Sequence, residues 1–161
     1  MGRIEDIRTE KNEWDNLKTT LGEHPPTGQI DKNKYAGDSL YVPIGYINAK
    51  LDQIFLSWDW IIDKQEFVAG NCVVTGTLIC HTMSGKMIKR SGIGVSEVKV
   101  EPNGLVVRKA MEKGYPKSDS QALKNASQKL GNIFGRNLNR KFKWGYISDS
   151  SLVDKIFGSD E

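Results

Sequence analysis

The chain has 161 residues, 38% of them hydrophobic and 27% charged, with a formal net charge of +3. That is enough for one domain with a real core, and it excludes a fibrous or wholly disordered chain. There is no apolar run long enough to span a bilayer and no basic-then-apolar leader, so neither a membrane span nor a signal peptide is expected, and the cytoplasm is the expected compartment.

The charge is unevenly placed. Residues 1–80 hold 8 Lys/Arg and 12 Asp/Glu, residues 81–145 hold 14 and 4, and residues 146–161 hold 1 and 4. A concentrated basic segment in a weakly basic chain points to an anionic partner such as nucleic acid. It can equally pair with the acidic N-terminal part, within one chain or between subunits.

Residues 3–21 predict an acidic helix with Ile4, Ile7, Trp14, Leu17 and Leu21 as its apolar positions, either a packing helix or a subunit contact. His24-Pro25-Pro26-Thr27-Gly28 breaks the chain, and residues 25–40 read as a polar linker. Pro43 suits the start of a helix over Ile44–Leu56, with Ile47, Leu51, Ile54 and Phe55 on a common side. Three strands follow, beginning at Trp58, at Cys72 and at Lys86, with turns at Gly70-Asn71 and Ser84-Gly85. Gly92 and Gly94 share one face of the third strand and leave room for another backbone or a helix, or mark a bend. Glu101–Pro116 reads as a charged loop with a short helix at Leu105–Lys113.

Asp119–Asn139 reads as a long amphipathic helix capped by Asp119 or Ser120. Ala122, Leu123, Ala126, Leu130, Ile133 and Phe134 fall within an arc of about 120°. The other side carries Lys124, Asn125, Gln128, Lys129, Asn132 and Arg136 without a carboxylate, which again fits an anionic partner. Lys141-Phe142-Lys143-Trp144-Gly145-Tyr146 interleaves cations and aromatics, as a base-stacking segment or a terminal strand does. Ser150–Phe157 adds a short helix. The domain reading is an acidic helix at 1–24, a linker at 25–40, a core at 41–146 and a tail at 147–161.

Catalytic chemistry is sparse. The only Gly-Lys, Gly85-Lys86, is followed by Met87, so no phosphate-binding loop of the ATPase type is present. His24 and His81 are the only histidines. Cys72 and Cys80 sit in apolar sequence and are expected as buried thiols, and neither a zinc site nor any other cofactor is expected. Asp59, Asp63, Glu97 and Glu101 leave a metal-dependent nuclease as an alternative.

Four segments, in order, resemble the Rad-fifty-two family of single-strand annealing proteins. They are Tyr41-Val42 with Asn48, Leu51, Ile54-Phe55 and Trp58–Trp60; the strands at 67–90; Gly92-Ile93-Gly94-Val95-Ser96-Glu97; and Leu123-Lys124-Asn125-Ala126 with Leu130-Gly131-Asn132. The resemblance spans about residues 41–140 and is similar to a compact phage or bacterial version, which would act in the bacterial host cytoplasm. It implies an α+β fold, a three-stranded antiparallel meander packed on a long helix, assembling into a ring or helical filament. It implies single-stranded DNA held by its backbone in an outer basic groove, annealing of complementary strands without ATP in recombination and repair, and a single-strand-binding protein as a further partner. Lys124 matches the family's groove lysine, whereas Asn125 and Gln128 stand where arginines occur. The expected DNA contacts are therefore Lys124, Lys129, Arg136, Lys86, Lys89 and Arg90, with Asn125 and Gln128 beside them. The rival reading is a protein that coats single strands without pairing them, using Trp144 for stacking.

Overall fold

A computed structural model describes residues 2–140. Helix α1 spans Gly2–Gly22, strands β1 and β2 span Asp31–Asn33 and Ser39–Tyr41, and helix α2 spans Ile44–Ile54. Strands β3 (Ser57–Val68), β4 (Asn71–His81) and β5 (Met87–Glu97) precede helix α3 (Arg108–Gln128) and a 3-10 turn at Asn132–Phe134. The fold is α+β. The three long strands form one antiparallel sheet in the order β3-β4-β5, and α3 packs on β4 and β5.

Turn chemistry sets the meander. Ala69 and Gly70 both adopt positive φ, 50° and 77°, which a two-residue hairpin requires to match strand twist. Gly85, at φ 85°, closes the second hairpin. Strand β4 then alternates cleanly, with Cys72, Val74, Leu78 and Cys80 buried toward the helices and the odd-numbered residues on the outer face. Val42, Ile47, Leu51, Phe55 and Phe134 complete the core. The Tyr46 hydroxyl donates to the Ile133 carbonyl at 2.9 Å and ties α2 to the 3-10 turn; burial raises its pKa.

Gly92 and Gly94 do admit a helix. A Cβ on Gly92 would meet the Ala122 carbonyl, and one on Gly94 the Ser118 carbonyl, so α3 lies directly on the β5 backbone. Beside this contact the hydroxyls of Ser96 and Ser118, 2.7 Å apart, reach the carbonyls of Gly114 (2.8 and 2.9 Å) and Cys72 (2.8 Å). Buried polar groups are satisfied there across the helix–sheet seam.

Two expectations need correction. The stretch 25–40 is not a bare linker: it holds a 3-10 turn at Thr27–Gln29 and the β1–β2 hairpin, turned through Gly37 and Asp38 at positive φ. Asn139 secures it, its side-chain amide bonding both the N–H and the carbonyl of Leu40 at 2.7 Å. The long helix begins eleven residues before Asp119 and ends eleven before Asn139, running over Arg108–Gln128. Pro116 lies inside it. Proline removes one helical donor, but Gly114 packs against Cys72 and Val98 and holds this turn on the sheet. Past the C-terminal end the chain is extended at Gly131 and passes α1 so closely that a Cβ there would strike the Leu21 backbone. The segments read at 141–146 and 150–157, and the tail at 147–161, lie outside the described residues.

Candidate nucleic-acid interface

The last carbonyls of a helix have no intrahelical partner and carry partial negative charge. At the end of α3 they are met by guanidinium groups. Arg136 donates from Nε to the Gln128 carbonyl (2.8 Å) and from Nη2 to that of Lys129 (2.6 Å). Arg90 reaches the Lys129 carbonyl from Nε at 3.4 Å and its neighbour Lys89's carbonyl at 2.7 Å. Helix termination thus gathers Arg90, Lys129 and Arg136 in one place.

Beside them runs a groove of about 650 Å³ between the end of α1 and the turn after α3. Lys18, Lys129, Arg136 and Arg140 line it, with Asn132 and Asn137 between, and its lining contains no carboxylate. Among the described residues, the side chains of Lys18 and Arg140 make no ion pair or hydrogen bond. Asn137 Oδ1 is buried without a partner. Such a lining suits an extended anion whose charges repeat along a chain.

The other expected contacts are elsewhere. Lys124 and Asn125 leave α3 on opposite flanks. Lys124 lies over the Tyr41 ring, with Nζ 4.5 Å from its centroid, and desolvation lowers its pKa. Asn125 donates to the Ile93 carbonyl at 2.8 Å. It belongs to a ladder: Gln121 accepts from the Val95 N–H at 3.2 Å, and Lys129 Nζ donates to the Ser91 carbonyl. Side chains four apart on α3 therefore cover the free edge of β5, as exposed sheet edges require. Gln128 contributes its backbone carbonyl to the Arg136 cap.

Lys86 is committed to α1, 3.2 Å from the Glu10 carboxylate and 5.9 Å from the Trp14 ring centroid. Lys89 pairs with Ile79 in register and lies on the outer sheet face, away from α3. The expected cationic contacts are thus divided among four places.

No protein-family model matches the chain, and no curated protein does. Among the solved structures that the chain is similar to is an NTF2-like protein of unknown function from Exiguobacterium sp. 255-15. It matches over 63% of this chain and 83% of its own, at 9% identity and a TM-score of 0.29. A likeness of that size carries no argument about function.

The carboxylates named for a nuclease do not converge. Asp59 pairs with Ile79 and Glu97 with Asn71, at opposite ends of β4, about 27 Å apart at some 3.4 Å per residue. Among the described residues no three of His, Cys, Asp and Glu gather as metal ligands. Asp63 accepts from the Thr77 hydroxyl at 2.7 Å. No helix of the described residues is long and apolar enough to cross a membrane.

Lys18 and Arg140 escaped the sequence reading. Lys18 stands in an acidic helix, and Arg140 lies just past the expected helix end. Only the crossing of α1 over Gly131 brings them together.

Proposed function

We propose that the protein holds single-stranded DNA by its phosphate backbone in the α1–α3 groove and, as a homo-oligomer, anneals complementary strands without ATP. One observation carries the reading: four cations from three separate stretches line one groove that has no acid in it. Two of them, Lys18 and Arg140, are uncommitted to protein partners among the described residues and free to meet phosphate.

The physics of annealing asks for little more. Two polyanions repel, and a cationic groove screens them while leaving the bases outward. Duplex stacking then contributes about 1.4 kcal/mol per step, so no nucleotide fuel is needed. The resemblance at residues 41–140 supports assembly into a ring or filament, in which many weak grooves act in series.

The test is annealing of two labelled complementary oligonucleotides without nucleotide, across a salt series. The wild-type chain accelerates annealing, and acceleration declines as salt rises. Lys18→Ala with Arg140→Ala flattens the slope of log affinity against log salt by about 1.4, two phosphate contacts at about 0.7 each for a single strand. Lys124→Met, which keeps the packing on Tyr41, leaves that slope unchanged. Binding without acceleration would identify a coating protein, and no binding at low salt would remove the reading.

A further inference from the structure

The two edges of the sheet are treated differently. The β5 edge is covered by Gln121, Asn125 and Lys129, whereas nothing among the described residues hydrogen-bonds the outer edge of β3. Strand β3 is twelve residues long and has no buried residue. It nonetheless carries Ile61 (47% exposed) on the outer face and Ile62 (42%) and Phe67 (40%) on the helix face. A long, open edge that exposes apolar side chains is a template for another strand.

We infer that β3 pairs antiparallel with β3 of a second copy about a two-fold axis through Ile61, joining two sheets into one of six strands. The sequence of β3 is self-complementary in that register. Asp59, Ile61 and Lys64 pair with Ile79, Thr77 and Thr75, so all three lie on the outer face, and a bulge between Ile62 and Lys64 absorbs Asp63. Antiparallel pairing at Ile61 then sets Ile61 against its own copy and Asp59 of each chain against Lys64 of the other. On the helix face it sets Trp60 against Ile62 of the other.

Ladder direction agrees. Hydrogen-bonding direction alternates along a strand. The odd-numbered β5 residues Ser91, Ile93 and Val95 point their backbone groups outward. Carried across the register, the same alternation points Trp60 and Ile62 of β3 outward. These are the residues the register requires to exchange hydrogen bonds. A second copy brings apolar surface for apolar surface and sets an opposite charge against Asp59, namely Lys64, which within its own strand pairs with Glu66 at 2.6 Å.

The measurement is the mass of the full-length chain by light scattering, with and without DNA. The wild-type protein has an even number of chains, and Ile61→Asp, which sets like charges on the axis, halves that number. Asp59→Lys weakens the pair, and Asp59→Lys with Lys64→Asp restores it. Ile61→Cys supplies a second reading, independent of folding losses in the charged variant. Facing residues of antiparallel strands lie within disulfide reach, and oxidised glutathione links this variant into a covalent dimer. Cys72 and Cys80 are buried and give no background. A monomeric wild-type chain overturns the inference. So does an Ile61→Cys protein that a maleimide labels but the oxidant does not cross-link. The groove lies on other elements, so loss of pairing with salt-dependent DNA binding intact separates this inference from the proposed function.

Discussion

Lys124 in α3 and Lys129 at its C-cap stand five positions apart and do different work. One packs its ammonium on Tyr41, where a cation over an aromatic face is attracted by the ring quadrupole. The other closes a sheet edge and lines the groove. The excess of basic residues over 81–145 is legible in the chain. Which cations are committed to protein carbonyls is not, because that depends on where α3 stops and what crosses it. Glu13 shows the same local logic on the acidic side. It accepts from the Ser84 N–H at 3.1 Å, and the Ser84 hydroxyl and N–H lower its pKa from the ordinary 4.5. A lowered folded-state pKa means a contribution present above about pH 4.5 and lost as pH falls through the folded value. The Ser84 amide resonance is therefore expected to titrate with a midpoint below 4.5, and Glu13→Gln to abolish that titration while the rest of the spectrum persists.

Among the elements, the α3–β5 seam is the most legible. Two glycines two apart on one strand face announce a close neighbour, and the helix that fills the space carries small residues there: Ser118, Ala122 and Ala126. Gly94→Ala puts a methyl group into the Ser118 carbonyl and forces α3 off the sheet. A loss of about 3 kcal/mol is expected by urea unfolding, the upper range for overpacking without relief, whereas Gly28→Ala, with open space around it, stays within about 0.5 kcal/mol. The apolar stripe of α3 is also readable, since Ala122, Leu123 and Ala126 are buried in α3 and Ile133 and Phe134 in the turn after it. The helix boundaries are not readable. Proline and glycine at 114–116 argue locally for a loop, and tertiary packing on Cys72 and Val98 overrides them. At the other end, the periodicity continues through a break that α1 crosses and that Arg136 and Arg90 cap.

At the scale of the molecule, helices cover one side of the sheet and, among the described residues, nothing covers the other, where Ile61, Met87, Ile93 and Val95 are exposed. The first turns of α1 are open as well, Ile4 being 67% and Ile7 60% exposed. Apolar surfaces of this kind mark interaction sites, and the basic groove lies apart from them. The ladder of Gln121, Asn125 and Lys129 has a further consequence, in polymerisation. Through its sheet edges alone, a protomer with one adhesive rim joins a single neighbour, whereas a protomer with two has an end that is never saturated. Gln121→Ala with Asn125→Ala uncovers the second rim, and a stock solution of that variant is expected to turn turbid after a lag that seeds abolish, as nucleated fibres do. A clear solution at the same concentration would mean that Lys129 alone is a sufficient terminator.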